Sequence, residues 1–326
     1  MDWEKTFFKQ MAANSADAFR SALELKRQHL PARLYRYRPS SEPFYAIDEI
    51  KTGEIYCAHH SELNDPYDAC SVMRQTSLSA YFGGDTKKQY AESFRVHFPE
   101  SVLQNALQSD HWLEELMRLT AEKSAPPEQR DELACTLVQT VTQELLELNQ
   151  AFNMVLHRIY RIVCFTTKPD NLPMWSHYAS HHQGVCLEYD PARLSGTALQ
   201  NFLFPVVYTP KLPDGIEFLQ SARQGSKPAG ITGILPFLLH KLQDWAYEEE
   251  WRLLAHMELL CGTPGKLSET DWNTGHKLAF LRPSRVLLGF QIREDNEERI
   301  RQACELYGIP VVKMKLTEYG LREEQN

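Results

Sequence analysis

The sequence predicts an α+β protein with a mixed or antiparallel sheet at its core and a helical insertion in the first half of the chain. Short β-rich runs lie towards both ends, for example LYRYRP at 34–39 and IPVVKMKL at 309–316. Between them, residues 88–160 repeat apolar side chains at helical spacing and contain little strand pattern. The expected parts, in chain order, are an N-terminal helix (1–33), a first core segment (34–87), the helical insertion (88–160) and a second core segment (161–326).

The individual elements follow from apolar spacing and from turn residues. Apolar side chains at helical intervals predict one helix over 3–28, which Pro31 ends. The segment HHSELNDPYD at 59–68 has Asn-Asp-Pro turn chemistry and is predicted to be a loop. Further helices are expected at 45–51, 172–182, 231–245 and 296–307. Strands are expected at 34–39, 54–58, 161–167, 184–190, 204–209, 248–257, 277–281, 285–290 and 309–316.

Composition and charge narrow the class of protein. The 326 residues include 35 Lys and Arg and 43 Asp and Glu, which gives a net charge of −8. This balance disfavours a surface for non-specific duplex binding but allows a local basic cleft. No apolar run approaches the ~20 residues of a membrane span, and MDWEKTFFKQ is acidic where a signal peptide begins with basic residues. We expect a bacterial cytoplasmic protein with no membrane partner.

The seven cysteines predict reduced thiols. Their number is odd and no two are three residues apart, so the chain has no CxxC zinc or redox motif. Cys164 and Cys186 lie inside apolar runs, where a thiol is usually a small buried hydrophobic group. We expect both to be buried and dispensable.

Two pairs of charged residues could bind a ligand. Arg36 and Arg38 are two residues apart on a predicted strand and therefore share a face. An arginine pair on a rigid strand suits a phosphate or a carboxylate, and the alternative is cross-strand salt bridging. Glu248 and Glu250 share a face if a strand begins there, and two such carboxylates can divide acid–base and charge-stabilising roles. Their alternative is a solvent-exposed strand start.

Hydroxyls and imidazoles follow another strand end. Thr166 and Thr167 end the run RIVCFTT, and their hydroxyls could orient a sugar or a neighbouring carboxylate. The next predicted helix carries His177 and His181 at a spacing that can hold a metal on one helix face. No third ligand is evident, so we expect no metal and interpret these histidines as surface or capping residues.

The loop after the second predicted strand contains Asn64, Asp65 and Asp68. Its carboxylates lack the spacing and the glycine of an EF-hand, and a structural turn is the simpler interpretation. The sequence has no P-loop, no GxGxxG after a strand and no GxSxG. These absences disfavour kinases, P-loop NTPases, Rossmann dehydrogenases and α/β-hydrolases.

Four segments form a recognisable series along the chain. They are LYRYRP, GEIYCAHHSELNDPYD, CFTTKPDNLPMWSHYASHHQGVCLEYD and KLQDWAYEEEWRLL. In this order they resemble the bacterial family called domain of unknown function 2971, over about residues 34–290. The family name supplies no activity.

A second resemblance concerns the order of the polar motifs. An arginine on the first strand, a Thr-Thr strand end before a helix, and Glu248-x-Glu250 late in the chain are similar to the motif order of ADP-ribosyltransferases. The departures are CFTT in place of a Ser-Thr-Ser form and the long insertion between the first two motifs. The resemblance implies an ADP-ribosyltransferase-like fold with NAD as substrate.

This second resemblance implies a role for each polar cluster. The first-strand arginines would hold the ribose or diphosphate of NAD, Thr167 would brace a glutamate, and Tyr178 or Tyr37 would stack on nicotinamide. Glu250 would stabilise the oxocarbenium-like charge, and Glu248 would face an acceptor, protein or nucleic acid, that the sequence does not identify. The candidate NAD-binding residues are Arg36, Arg38, Asn64, Asp65, Thr166, Thr167, His177 and Tyr178.

Two other classes of function remain open. In a non-enzymatic binding or sensing module, MWSHY and YEEEWRL would be packing motifs whose charges neutralise one another. In a metal-dependent nuclease or hydrolase, Asp65, Asp68, Glu248 and Glu250 would surround Mg²⁺. An arginine strand beside Glu-x-Glu favours a nucleotide ligand, whereas carboxylates that converge without arginine would favour the metal.

Overall fold

A computed structural model describes residues 3–13, 15–73, 92–95, 97–216, 218–219, 231–261 and 267–324. Its helices include α1 (Trp3–Met11), α2 (Ala16–Gln28), α3 (Tyr45–Thr52), α4 (Glu100–Gln108), α5 (Trp112–Ser124), α6 (Arg130–Ile159), α7 (Leu172–Tyr178), α8 (Ala198–Asn201), α9 (Ile231–Leu239), α10 (Met257–Cys261), α11 (Glu269–Trp272) and α12 (Glu294–Glu305). Its strands are β1 (Leu34–Arg38), β2 (Glu54–Cys57), β3 (Tyr160–Thr166), β4 (Val185–Tyr189), β5 (Leu203–Pro205), β6 (Val207–Thr209), β7 (His240–Leu242), β8 (Glu250–His256), β9 (His276–Ala279), β10 (Arg285–Leu288), β11 (Val311–Thr317) and β12 (Gly320–Glu323).

The predicted α+β class is confirmed, because helices and a mixed sheet both form. Eight strands are hydrogen-bonded in the order β12-β11-β10-β4-β1-β3-β8-β5. In this sheet β10 and β11 run parallel, and the other neighbours are antiparallel. Two small ribbons accompany the sheet: β2 pairs antiparallel with β9, and β6 pairs parallel with β7.

The large sheet is nearly interrupted between its strands β1 and β3. β1 pairs with β4 along its whole length, but the described pairing of β1 with β3 is limited to Tyr35 opposite Thr166. Nearer the start of β3, Ile162 exchanges backbone hydrogen bonds with Ala58 instead, at 2.8 and 2.9 Å. The backbones of β1 and β3 therefore separate after one pair, and side chains from both strands can meet in the gap.

The chain forms two compact units. The first combines Met1–Ala69, His157–Lys211 and Leu238–Asn326, and the second combines Cys70–Leu156 and Leu212–Phe237. The first unit contains the sheet, and its core includes Leu34, Ile50, Val163, Leu187, Leu253 and Ile300. The second unit has a core of helical side chains, which includes Leu103, Leu116 and Leu145. None of the described helices combines the length and the apolar composition that a membrane crossing requires.

Two predicted helices have different bounds in the structure. The helix predicted over 3–28 is divided, because the Ser15 side chain accepts a hydrogen bond from the Ala18 N–H (3.5 Å) and starts α2. The helix predicted at 172–182 ends at Tyr178, since residues 180–182 all have positive φ angles. Gly184 closes that turn, and a Cβ at this position would lie 2.2 Å from a backbone oxygen of β1.

The segment before β8 also differs from the prediction. The helix predicted over 231–245 ends at Leu239 and is followed by β7 and a 3-10 turn, Gln243–Glu248. Glu249 has a left-handed backbone (φ 42°), so β8 begins only at Glu250. The expectation that Glu248 and Glu250 share a strand face is therefore wrong, because Glu248 lies in the turn.

Candidate functional site

A cavity of about 280 Å³ lies in the first unit and is lined by residues of β1 and β3. The loop after β2, helix α7 and the segment around β7 and β8 supply the remaining wall. The polar residues in this lining are Tyr35, Arg36, Tyr37, Arg38, Glu62, Asn64, Asp68, Cys164, Thr166, Tyr178, Lys241, Glu248 and Glu250. Seven of the ten residues that the sequence analysis selected therefore face one cavity, although Glu248 and Glu250 do so from different elements.

Lys241 lies at the centre of three buried carboxylates. Its Nζ is 2.6 Å from Glu248 Oε2, 3.1 Å from Glu250 Oε2 and 3.6 Å from Asp68 Oδ2. All four side chains are almost completely removed from solvent, with at most 4% of each residue exposed. Burial of unpaired charges at this depth would be strongly unfavourable, so the ammonium group is what allows the carboxylates to be this close.

Arg252 is the second cation of this cluster and is fully buried. Its Nε donates to Glu250 Oε1 and its Nη2 donates to Asp68 Oδ2, both at 2.7 Å. Its Nη1 donates to the Leu238 carbonyl, also at 2.7 Å. The cluster thus holds three carboxylates and two cations, and Glu250 contacts both cations whereas Glu248 contacts only Lys241.

This arrangement shifts the pKa values of the two glutamates in opposite directions. Burial alone would raise the pKa of the Glu250 carboxyl, but the charges of Arg252 and Lys241 lower it to about 2. Burial raises the pKa of the Glu248 carboxyl, and the negative charge of Glu250 adds to the rise, although Lys241 opposes it. A pair of carboxyls with separated pKa values can hold one permanent charge and one exchangeable proton.

A short hydrogen-bond chain leads from the loop after β2 to Glu248. Asn64 Nδ2 donates to the Tyr178 hydroxyl (2.8 Å), and this hydroxyl donates to Glu248 Oε1 (2.6 Å). Burial and the adjacent Glu248 charge raise the pKa of Tyr178, so the phenol stays protonated. The Thr166 hydroxyl donates to the backbone carbonyl of Glu248 and so holds the end of the 3-10 turn Gln243–Glu248 against β3.

The arginines of β1 share a single carboxylate. Arg38 Nε donates to Glu49 Oε1 (2.7 Å), and the Tyr189 hydroxyl donates to Glu49 Oε2 (2.9 Å). Arg36 Nη2 donates to the Tyr56 carbonyl (2.9 Å), but its Nη1 is buried without a hydrogen-bond partner among the described residues. Arg36 Nη1 lies 4.0 Å from Glu49 Oε1, so both arginines form ion pairs with this carboxylate, which lies on helix α3 and not on a neighbouring strand. Arg36 still lines the cavity, and its Nη1 makes no hydrogen bond among the described residues.

Three selected residues lie outside the described lining of this cavity. Thr167 donates to Glu249 Oε2 (2.8 Å), so the glutamate that it braces is neither member of the selected pair. His177 is exposed, with its Nδ1 3.3 Å from the Tyr247 hydroxyl. Asp65 accepts the backbone N–H two residues further on (2.9 Å), which is the structural turn considered as the simpler interpretation.

The consecutive residues Glu248, Glu249 and Glu250 contribute to two different cavities. Glu248 lines the first cavity, while Glu249 and Thr167 line a second cavity of about 680 Å³, and Glu250 contributes to both. The left-handed backbone of Glu249 turns its side chain away from its two neighbours, towards Lys168 Nζ at 3.1 Å. Strand alternation also predicts that Glu249 points away from Glu248 and Glu250, but here the left-handed backbone of Glu249, and not a continuous strand, produces the separation.

Sequence analysis did not select Lys241 or Arg252. Lys241 falls within a segment predicted as helix, and nothing in its local sequence marks it as a charged partner of the glutamates. Arg252 lies two residues after Glu250 on a strand and therefore on the same face, so the sequence allows it as a structural partner of Glu250 without marking it as a site residue. Cys186 is buried as predicted, but Cys164 is only half-buried and lines the cavity.

The described residues contain no group of three or more His, Cys, Asp and Glu side chains that could hold a metal ion. Three of the carboxylates that a metal-dependent hydrolase would need, Asp68, Glu248 and Glu250, contact Lys241 or Arg252 instead. An ammonium group therefore takes the central position between them.

The fold and the cavity define an α+β protein with a ligand-sized, highly charged site. Residues 174–253 match the model of a family described as protein of unknown function (DUF2971). The match confirms the resemblance to this family over the segment that supplies Tyr178, Lys241, Glu248, Glu250 and Arg252. No curated protein and no solved structure matches the chain. The similarity to ADP-ribosyltransferases stays a prediction.

Proposed function

We propose that the first cavity binds NAD and that the protein cleaves the nicotinamide–ribose bond and transfers ADP-ribose, on an ADP-ribosyltransferase-like fold. The observation that carries the proposal is the convergence of Arg36, Thr166, Tyr178, Glu248 and Glu250 on one cavity. Cationic, hydroxyl, aromatic and carboxylate groups are the four kinds of side chain that the reaction needs.

The size of the cavity supports a part of NAD as its occupant. An engineered cavity of ~150 Å³ holds one benzene ring, and drug-sized ligands occupy ~300–1,000 Å³. The 280 Å³ here suits one ring and one sugar, which corresponds to the nicotinamide–ribose half. The Nη1 of Arg36, which makes no hydrogen bond among the described residues, suits an anionic or carbonyl oxygen of that half.

The carboxylates suit the chemistry of bond cleavage. When the bond from the ribose to nicotinamide breaks, its electron pair leaves with nicotinamide and positive charge develops on the sugar, as in glycoside hydrolysis. Glu250 remains ionised because of its cations, and Glu248 is available to face the acceptor. Burial strengthens both interactions, since water does not screen them.

The test is a comparison of three glutamate variants in NAD titration and nicotinamide release. Glu248→Gln and Glu250→Gln should each lower turnover by at least a factor of about 10². Glu249→Gln is the matched control, because it removes the same group one position away and outside the first cavity. NAD affinity should change much less than turnover, since Arg36, whose Nη1 makes no hydrogen bond among the described residues, would supply most of the ground-state binding.

A second candidate function is a non-enzymatic binding or sensing module. It is favoured by one observation, namely that both oxygens of Glu250 contact cations of the protein itself. A carboxylate that is neutralised in this way stabilises a developing positive charge less strongly. If the wild-type protein neither binds NAD nor releases nicotinamide, the transferase proposal is wrong and the binding module replaces it.

A further inference from the structure

Lys241 has a position that the proposed roles of the glutamates do not explain. It lies on β7, a three-residue strand that pairs in parallel with β6, and its partner in the register is Tyr208. The Tyr208 hydroxyl accepts a hydrogen bond from the Glu250 backbone N–H (2.8 Å). The β6–β7 ribbon therefore contacts Glu248, at the end of the 3-10 turn, and Glu250, at the start of β8, through two adjacent side chains, one from each strand.

The surroundings of the ammonium group restrict it to one place. The Trp245 ring centroid lies 4.8 Å from Lys241 Nζ, and the carboxylates of Glu248 and Glu250 lie within 3.1 Å. Glu248 has one oxygen on Lys241 and the other on the Tyr178 hydroxyl, so both of its oxygens are oriented. If the ammonium group were absent, Arg252 would still neutralise Glu250, but Glu248 would have no cation among its described contacts.

We infer that Lys241 is a positioning residue, which holds Glu248 ionised and oriented in the cavity so that this carboxylate can accept a proton from the attacking group. The inference rests on the proposed function. In the step that it serves, a hydroxyl group or water forms a bond to the ribose carbon that nicotinamide leaves. The bond to nicotinamide breaks with its electron pair, and the proton of the hydroxyl or water moves to Glu248.

The direct test is the pH profile of nicotinamide release in Lys241→Gln and Lys241→Arg. Because only the ionised Glu248 carboxylate can accept a proton, the rate of nicotinamide release should fall as the pH is lowered, which forms the acid limb of the profile. In Lys241→Gln this acid limb should move to higher pH by at least about one unit, because the carboxylate loses its cation. Turnover at neutral pH should fall at least tenfold while the Kd for NAD stays within about threefold. Lys241→Arg keeps the charge and should leave the acid limb in place.

The matched control is Lys168→Gln, which removes a half-exposed lysine that contacts Glu249 rather than the cavity. It should leave the acid limb and turnover unchanged. A purely structural role for Lys241 would lower the melting temperature of Lys241→Gln without moving the limb, and this result would overturn the inference. If Lys241→Gln does not fold, the charge-balanced double variant Lys241→Gln/Asp68→Asn should show the same displacement of the limb.

A separate measurement keeps the inference independent of the proposed reaction. If the wild-type protein releases no nicotinamide, the carboxyl carbon of Glu248 can be titrated by ¹³C NMR without any ligand. Its titration should lie at higher pH in Lys241→Gln than in the wild type and in Lys168→Gln. An unchanged titration would contradict the inference, whereas absent nicotinamide release by itself would contradict only the proposed function.

Discussion

Arg161 and Arg252 are both fully buried, on neighbouring strands β3 and β8, but different groups accept their hydrogen bonds. Within the described part of the chain, the guanidinium of Arg161 donates only to backbone carbonyls, including those of His157 (2.7 Å), Trp272 (2.8 Å) and Thr274 (2.7 Å). These carbonyls come from the end of α6 and from α11 and the residues after it. Arg161 therefore joins two helix ends and lies outside the described lining of the first cavity.

Arg252 has carboxylates as partners instead, and the consequence appears in its protonation. Burial lowers the pKa of Arg161, and its carbonyl partners carry no charge to reverse this. Burial would also lower the pKa of Arg252, but Asp68 and Glu250 raise it well above its usual value. A buried cation can thus have a purely structural role when backbone carbonyls accept all of its hydrogen bonds. The carboxylate partners of Arg252, Asp68 and Glu250, line the first cavity, whereas the carbonyl partners of Arg161 belong to residues outside its described lining. This is why we place the function beside Arg252.

The largest effect that we expect comes from Arg252→Met. This change leaves Asp68 and Glu250 buried with one cation fewer, and breaking a buried ion pair costs about 3–5 kcal/mol of unfolding free energy. Urea denaturation of variant and wild type measures the loss. The charge-balanced variant Arg252→Met/Glu250→Gln should recover part of it. A loss below about 1 kcal/mol would mean that the cluster is not needed for stability.

A smaller effect is expected for Arg161→Met. The carbonyls that lose their donor are uncharged, and unsatisfied groups of this kind cost about 1–3 kcal/mol when they cannot reach water. We expect a loss of about 2–3 kcal/mol in the same urea experiment. NAD affinity should stay within twofold of the wild type, because Arg161 is not in the described lining. If NAD affinity fell by more than twofold, Arg161 would contribute to ligand binding, and the proposed difference between a structural Arg161 and a site-associated Arg252 would be wrong.

The two regions should also respond to acid at different pH values. His60 and His157 stack beside Arg161 with ring centroids 3.2 Å apart, and burial lowers the pKa of His60 to about 4 and of His157 to about 3. The unfolded chain binds their protons first, so stability should fall as the pH drops from about 6.5 towards 4. The contribution of Glu250 is lost later, as the pH falls through about 4.5 towards 2.

Urea denaturation at a series of pH values separates these contributions. His157→Gln removes a titrating ring, and the pH dependence between about 6.5 and 4 should become weaker in this variant. Glu250→Gln should leave that range unchanged and flatten the dependence below about 4.5. If His157→Gln keeps the wild-type dependence from pH 6.5 to 4, other groups cause it.

The smallest effect is expected where charges are exposed. Glu249 pairs with Lys168 at the surface, and about half of each side chain is accessible to solvent. Exposed pairs contribute about 0–1 kcal/mol, so Glu249→Gln should change the unfolding free energy by less than about 1 kcal/mol. The same urea measurement checks this. A loss comparable with that of Arg252→Met would show that exposure does not distinguish the two clusters.

Local patterns were sufficient to predict much of the sheet. The alternation in LYRYRP and the apolar run before Thr166 identify β1 and β3, because a strand has a period of two and a buried strand is apolar throughout. The same reasoning fails before β8. There the prediction extends the strand back to Glu248, whereas the left-handed residue Glu249 delays it to Glu250.

The candidate site was predicted only in part, for a similar reason. Arg36, Tyr178 and Glu250 were selected because their motifs have a known order along the chain. Lys241 was missed because its neighbours in sequence do not predict its partners in space. Thr166 and Thr167 were both selected, but only Thr166 lines the cavity and holds the Glu248 carbonyl, whereas Thr167 contacts Glu249.

The sequence by itself determined the α+β class, most of the strands and the resemblance to the DUF2971 family, because these depend on residue type and local spacing. Only the tertiary structure decided which charges meet. Arg252 and Asp68 are 184 residues apart in the chain and 2.7 Å apart in space. Interaction energy between charges depends on their separation and on the surrounding solvent, and a linear pattern specifies neither. The division of roles between Glu248 and Glu250 is therefore a property of the folded chain.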